Sequence, residues 1–261
     1  AHDWLTYMAG IAAKRLSGKP LVVHVHATSF DRSSDQNIDT RVYEIEKKGM
    51  EAADKVITVS DLTRNIVITK YGIDPSKVVT VHNAVDFSGR SEIQVERGVK
   101  EKDVTFLGRI TFQKGPEYFI EAAAKILKKC KNVRFVMAGS GDMMNRSIRQ
   151  VARLGISDRF HFTGFLRGAE VQKMFALSDV YVMPSVSVPF GISPLEAMRS
   201  GVPSVISRQS CSAEVLKYAF KVDFWDVDAM ADEIYALLQY PALADFASKY
   251  GYDEVNTLKW N

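Results

Sequence analysis

The chain of 261 residues is long enough for one large domain or two modest ones. Its composition, 46% hydrophobic and 25% charged, excludes a disordered, collagen-like or disulfide-stapled protein. The 34 basic residues barely exceed the 31 acidic ones, so the net charge does not indicate nucleic-acid binding. Cys130 and Cys211 lie far apart in no metal-binding spacing, which predicts a reducing, cytoplasmic setting.

Apolar β-branched runs alternate with helical patterns in the first part of the chain. Ser60 or Asp61 can cap one of the predicted helices, and Gly72 follows its last turn. Because the chain begins with Ala1 and not with Met, we expect natural sequence before it. In chain order we predict a helix at 4–16, a strand at 21–27, a helix at 42–53, a strand at 55–60, a helix at 61–71 and a strand at 77–82.

A stretch rich in Arg, Glu, Lys and Gly then interrupts the alternation, and we predict a linker there at 87–102. It separates a partial first domain at 1–86 from a second domain at 103–250, and residues 251–261 are predicted to start a truncated helix. Pro116 opens a helix with one apolar face. The second domain offers six strand-like runs, at 104–107, 133–138, 159–163, 180–183, 202–206 and 221–224.

Strands that alternate with helices need crossover connections, which produce parallel sheets covered by helices on both faces. The sequence therefore predicts an α/β protein with two Rossmann-like, doubly wound domains. With three strands against six, we expect the N-terminal domain to be incomplete; a naturally small first domain is the alternative. Ligands of such sheets bind beyond the carboxyl ends of the strands, so the loops there are the candidate functional positions.

Two cations flank the turn after the run at 104–107. Gly108 and Arg109 follow that run directly, and Lys114 precedes Gly115 and the helix that Pro116 opens. Glycines allow close backbone approach, a helix N-terminus favours anions, and Arg and Lys both bind phosphate oxygens. The pattern favours a bound diphosphate, and a solvated basic pair is the alternative.

Two further turns are candidate ligand contacts, one in a short glycine motif and one in a longer segment. Gly139 and Gly141 follow a strand, where they serve either a tight turn or a ligand contact. In the segment 184–198, Ser193 can cap a helix and Pro194 can occupy its first turn. Glu196 then lies in that turn, where it either complements the helix dipole or accepts hydrogen bonds from sugar hydroxyls.

The segments 184–198, 108–115, 53–60, 81–83 and 2–4 together resemble the retaining GT-B glycosyltransferases of the glycogen synthase-like family four. The resemblance covers nearly the whole chain. It implies transfer of a hexose from a nucleotide diphosphate sugar, such as UDP-glucose or GDP-mannose, to a hydroxyl acceptor with retained configuration. The acceptor would be a glycan, a lipid or a small molecule, and neither a nucleic-acid partner nor a metal cofactor is implied.

The resemblance also assigns roles to single residues. Arg109 and Lys114 correspond to the pair that binds the diphosphate, Glu196 to the carboxylate that holds the ribose, and His26 to the histidine near the transferred sugar. Arg109, Lys114 and His26 are thus the catalytic candidates. The donor-binding candidates are Gly108, Arg109, Lys114, Gly139, Gly141, Phe165, Phe190, Gly191, Ile192, Leu195 and Glu196.

His24 and His26 share one strand face, but no third ligand stands at a metal-binding spacing from them. We therefore expect no metal. The lysines near 125–131 form a short basic cluster at a helix end, for which a solvated face is the default and weak contact with an anionic membrane surface the alternative.

The sequence departs from the family at one position of the site. The family has a second Glu, separated from the ribose Glu by seven residues, and Val188 stands there. Valine offers no acceptor to a sugar hydroxyl, which costs about 1.5 to 3 kcal/mol unless Ser185 or Ser187 compensates. A weak or inactive nucleotide-sugar-binding homologue is therefore an alternative function, and a GT-B nucleotide-sugar epimerase is a less favoured one.

Overall fold

The computed structural model describes residues 1–32, 38–84, 95–96, 98 and 100–258. These residues form two compact units, Ala1–Asn83 with Ser187–Phe190 and Ala84–Val186 with Gly191–Asn261. Much of the predicted linker at 87–102 lies outside the described residues, and its last residue, Lys102, already belongs to a strand.

The first unit contains a parallel sheet of three strands in the order β1-β2-β3. Val23, Val56 and Val78 face one another across the sheet and are buried, because β-branched side chains pack well on a pleated surface. A parallel bridge between His2 and His24 places the first residues of the chain alongside β1. The elements are α1 (Asp3–Ser17), β1 (Val22–Val25), α2 (Ser29–Arg32), α3 (Thr40–Ala52), β2 (Lys55–Thr58), α4 (Asp61–Tyr71) and β3 (Val78–Thr80).

Local signals in the sequence explain the ends of α4. The Ser60 hydroxyl accepts a hydrogen bond from the Thr63 N–H at 3.0 Å, which satisfies one of the free amides of the first turn. Gly72 ends the helix in the left-handed conformation, with φ at 71°. Both predicted boundary residues are confirmed.

The second unit contains a parallel sheet of six strands in the order β6-β5-β4-β7-β8-β9. Strand order runs outwards in both directions from the neighbours β4 and β7, so it reverses between them. The strands are β4 (Lys102–Leu107), β5 (Val133–Ala138), β6 (Phe160–Gly164), β7 (Val180–Met183), β8 (Ser204–Ser207) and β9 (Phe220–Val222). The helices are α5 (Pro116–Lys129), α6 (Met144–Arg153), α7 (Ala169–Leu177), α8 (Ser193–Arg199), α9 (Ser212–Val215), α10 (Val227–Gln239) and α11 (Pro241–Val255).

The apolar face of α5 covers this sheet, as its periodicity predicts. Phe119 is fully buried between the rings of Phe106, Phe135 and Phe160, with ring centroids 5.6 to 5.9 Å away. Aromatic pairs at these separations add to the gain from area burial. The predicted fold class is confirmed: the chain is an α/β protein with two parallel, Rossmann-like sheets of three and six strands.

The prediction of a helix that starts within residues 251–261 is wrong. Pro241 occupies the first turn of α11, and the helix continues through Gly251 to Val255. Gly251 packs against α8, where a Cβ would lie 2.9 Å from Met198 Cε. Among the described residues, no helix combines the length and the apolar composition that a bilayer crossing needs.

Candidate functional site

The loops that follow β4 and β7 lie side by side, at the point where the strand order reverses. The Val186 N–H donates to the Gln113 carbonyl at 2.9 Å, which ties one loop to the other. Gly115 has φ at 63°, and a Cβ on it would lie 2.1 Å from the Pro184 carbonyl oxygen. Only glycine permits this approach, so the turn that the sequence singles out is built for contact with the second loop.

Arg109 and Lys114 lie on the loop after β4. The stem of Lys114 runs along the backbone of Gly108, where a Cβ would be 3.7 Å from Lys114 Cδ. Arg109 is exposed, and its Nη2 lies 3.4 Å from Gln113 Oε1. Burial, and to a lesser extent the positive Arg109 guanidinium, lowers the pKa of the Lys114 ammonium from 10.5 to about 8. A poorly solvated ammonium beside a second cation gains free energy when an anion binds.

The glycines of the second turn hold the neighbouring loops together. A Cβ on Gly139 would lie 1.8 Å from the Gly108 carbonyl oxygen, and one on Gly141 would lie 2.2 Å from the Ile110 carbonyl oxygen. The Ile110 N–H donates to the Ser140 carbonyl at 2.9 Å across the same contact. The structure thus gives both glycines a packing role, whether or not they also touch a ligand.

Helix α8 begins one residue earlier than a Ser193 cap requires, and that predicted cap is wrong. Its N-cap is Ile192, and Ser193 is the first helical residue. The Ser193 hydroxyl instead receives a hydrogen bond from Tyr181 at 2.8 Å, which competes with capping. Pro194 occupies the first turn, as predicted, and Glu196 lies half-buried at the end of that turn.

The structure places the other donor-binding candidates at three positions. Gly191 packs at the start of α8, where a Cβ would lie 2.9 Å from Met183 Sδ, and Leu195 is buried in that helix. Phe165 follows β6 and is exposed, with the Arg167 guanidinium 5.1 Å from its ring centre. Phe190 belongs to the segment that packs with the first unit.

Val188 belongs to the same four-residue segment and is only 7% exposed. The two serines suggested as compensation differ in their hydrogen bonding. The Ser187 hydroxyl lies 3.3 Å from Asp31 Oδ1, and Ser185 Oγ is buried without a hydrogen-bond partner among the described residues. Burial raises the pKa of the Asp31 carboxyl, and hydrogen bonds from Thr28 oppose that shift.

Three histidines of the first unit form a cluster that we call the histidine trio: His2, His24 and His26. The ring centres of His24 and His26 are 4.1 Å apart, and His2 lies 5.3 Å from each. His2 Nδ1 is 3.0 Å from His26 Nε2. Sequence reasoning did not join His2 to the pair because more than twenty residues separate them, and the single-residue bridge of His2 to His24 leaves no strand pattern in the sequence.

The basic cluster near 125–131 is partly neutralised. Lys125 pairs with Asp228, and Lys129 Nζ lies 3.0 Å from Asp232 Oδ1, both acids belonging to α10. Pairs of this exposed kind contribute little stability, but they reduce the positive charge available to a membrane surface.

A doubly wound parallel sheet with a cationic loop at its strand reversal defines a Rossmann-type α/β protein. The family described as glycosyl transferases group 1 matches residues 90–254, and that described as glycosyltransferase family 4 matches residues 1–88. The chain belongs to the glycosyl transferases group 1 family, and it shares the GT-B fold of solved members.

Individual relatives support this assignment. An uncharacterized glycosyltransferase of Methanocaldococcus jannaschii is 33% identical over 230 residues, which cover 83% of this chain and 59% of that protein. The 2-deoxystreptamine glucosyltransferase of Streptomyces kanamyceticus is 29% identical over 212 residues, covering 75% of this chain and 54% of that protein. The chain thus spans little more than half the length of these two relatives.

Solved structures share the fold at low identity. Sucrose-phosphate synthase from Thermosynechococcus elongatus matches with a TM-score of 0.87 at 21% identity, covering 98% of this chain and 68% of that one. HepE of Anabaena, solved in complex with UDP and glucose, matches with a TM-score of 0.85 at 19% identity, covering 98% of this chain and 72% of that one.

Proposed function

We propose that the chain is the greater part of a retaining glycosyltransferase that moves a hexose from a nucleotide diphosphate sugar to a hydroxyl. The pairing of Arg109 with Lys114 on one loop at the strand reversal carries this proposal. Family membership and the UDP and glucose bound by the solved HepE support the donor class. The free thiols of Cys130 and Cys211 are compatible with the cytoplasm, which we propose as its location.

The reaction requires stabilisation of the departing diphosphate. Negative charge grows on its oxygens as the bond to the sugar breaks, and the sugar becomes oxocarbenium-like. Arg109, which is exposed, would contact the diphosphate as a planar fork, and Lys114 would supply a partly desolvated point charge. Cations fixed in place before the reaction lower the barrier without reorganisation, so the proposal needs no metal ion.

The remaining roles concern the rest of the donor. We assign the nucleotide ribose to Glu196, which lies in the first turn of α8, the helix that follows β7. Gly191 and Ile192 lie at the start of the same helix. His26 is proposed to contact the transferred sugar on the strength of the resemblance alone.

A second function, a nucleotide-sugar binder with little or no transferase activity, is favoured by one observation. Val188 is buried and presents an aliphatic side chain where the family has a carboxylate. Such a protein would keep the diphosphate site and lose part of the stabilisation of the reacting sugar.

Calorimetry with a panel of nucleotide diphosphates and their sugars tests the diphosphate site. We expect Arg109→Ala and Lys114→Ala each to weaken binding about tenfold to a hundredfold, the usual effect of losing a charged hydrogen bond. Arg153→Ala on α6 and Lys128→Ala on α5 are matched controls, because both side chains are exposed outside the site. Near-native affinity in both site variants would contradict the proposed diphosphate site.

Donor consumption, measured beside binding, separates the two functions. A transferase releases nucleotide diphosphate faster when a hydroxyl acceptor is present, and the product keeps the anomeric configuration of the donor. Binding without acceptor-dependent release establishes the binder instead.

A further inference from the structure

Three imidazole rings meet at the carboxyl end of β1. His24 lies on the strand, His26 follows it, and His2 stands directly before α1, bridged to His24. One ring nitrogen from each histidine lies within 4.8 Å of those of the other two. The spacing of the histidines in the sequence does not reveal this arrangement, because His2 lies on a separate backbone segment more than twenty residues before His24.

The separations suit a single ion. Zinc binds imidazole nitrogen at about 2.0 to 2.1 Å, so two ligands of a tetrahedral ion lie about 3.3 Å apart. His2 Nδ1 and His26 Nε2 are already 3.0 Å apart. The His24 nitrogen lies within 4.8 Å of the other two, so movements of at most about 1.5 Å would bring all three nitrogens to the separation that one ion needs, with a fourth position left for solvent.

The backbone holds the rings in place. The His24 N–H donates to the Ala1 carbonyl at 2.8 Å, which fixes the chain before α1 against β1. The His26 N–H donates to Asp3 Oδ1 at 2.8 Å, so the residue next to His2 also anchors His26. Preorganised ligands bind a metal without the cost of ordering the chain.

One ring atom has no partner. His24 Nε2 is buried and makes no hydrogen bond to any residue that the structure describes. A buried polar atom left without a partner costs free energy, and each such atom calls for an explanation. A metal ion would occupy its lone pair.

We propose that the histidine trio, His2, His24 and His26, forms a binding site for a divalent transition metal ion of the zinc type. Imidazole ligands suit zinc, copper and nickel, and three of them with an open position make a complete protein ligand set. The site belongs to the first unit alone, so it does not depend on the proposed transfer reaction. A bound ion would engage the His26 ring that the transfer reaction assigns to the sugar.

Metal binding is tested directly, on the whole chain without a histidine tag, with Zn²⁺ in calorimetry and Co²⁺ in absorption spectroscopy. We expect one ion per chain and a melting temperature that rises with Zn²⁺ concentration. The Co²⁺ absorption spectrum should have the molar intensity of a tetrahedral or five-coordinate ion. His24→Phe keeps the ring volume but removes one ligand, and it should weaken Zn²⁺ binding at least tenfold.

Two further variants make the result decisive. His2→Ala removes an exposed ring and leaves the hydrogen bonds of the backbone in place, so it decides the matter if His24→Phe fails to fold. His161→Ala, an exposed histidine on β6, is the control and should bind Zn²⁺ as the unchanged chain does. Absence of binding, or equal binding in the trio variants and the control, overturns the site and leaves a hydrogen-bonded stack of rings.

Discussion

The proposed donor needs the positive charge of Lys114, but burial of the ammonium group disfavours that charge. Its pKa of about 8 means that the ammonium loses its proton at mildly alkaline pH. Donor affinity should therefore weaken as the pH rises from about 7 to about 9, because the neutral amine no longer attracts the diphosphate. Calorimetry across that range tests this, with Lys114→Ala as the variant that should show a flatter profile. An equally steep profile in that variant would assign the titration to another group.

The same shift has the opposite effect on the stability of the chain without donor. Because the folded pKa lies below the ordinary value of 10.5, the unfolded chain binds more protons between about pH 8 and pH 10.5. The contribution of Lys114 to the free energy of unfolding therefore rises with pH across that window. Donor binding and stability thus respond to the same proton in opposite directions.

A substitution at Val188 tests whether the carboxylate that the family has at this position can be restored. The position is 7% exposed, so Val188→Glu buries a carboxyl group and should lower the melting temperature of the free chain. If the new carboxylate meets a sugar hydroxyl, a nucleotide sugar should raise the melting temperature more in Val188→Glu than in the unchanged chain. Val188→Gln, of the same size without the charge, is the control. Equal responses to the donor in all three proteins would show that the position does not face the sugar.

At the scale of elements, an ion pair ties β4 to β5 at the end of the sheet away from the site. Asp103 and Arg134 are partners in the strand register, and Arg134 Nη2 lies 2.8 Å from Asp103 Oδ1. Asp103 is 4% exposed, and its N–H donates to Asp179 Oδ2 at 2.7 Å. The pair fixes the start of β4, and Arg109 lies on the loop that follows the other end of that strand.

Removing one partner leaves the other charge buried. We expect Arg134→Met to lower the free energy of unfolding by about 3 kcal/mol, measured by urea denaturation. Arg153→Met, on the exposed face of α6, should change it by no more than about 0.5 kcal/mol. A loss of similar size in both variants would mean that the effect comes from the substitution of arginine and not from the pair.

At the scale of the whole molecule, the second unit contains both its own core and all the residues assigned to the diphosphate. A fragment of residues 100–258 should therefore fold alone and bind a nucleoside diphosphate within about threefold of the affinity of the whole chain. Circular dichroism and calorimetry on the fragment check both statements. A folded fragment that does not bind would show that the first unit contributes to this affinity.

The sequence predicts the two sheets because their strands are short β-branched runs separated by helical periodicity. Such reasoning does not predict contacts between backbone segments that are distant in sequence. The meeting of His2 with His24 depends on a parallel bridge, and the close approach of Gly139 to Gly108 depends on the order of strands in the sheet. The predicted Ser193 cap of α8 is wrong because Ser193 lies inside the helix, where its hydroxyl accepts a hydrogen bond from Tyr181 on β7.

The poorly solvated amine of Lys114, beside Gly108, is also a site at which the chain can be modified covalently. An unprotonated amine is a nucleophile, and Lys114 reaches that form at lower pH than an ordinary lysine does. A mimic of the proposed donor, with an aldehyde or an activated ester in place of the second phosphate, would deliver an electrophile to this nitrogen. Reagents of that design should modify Lys114 in preference to lysines that solvent keeps charged.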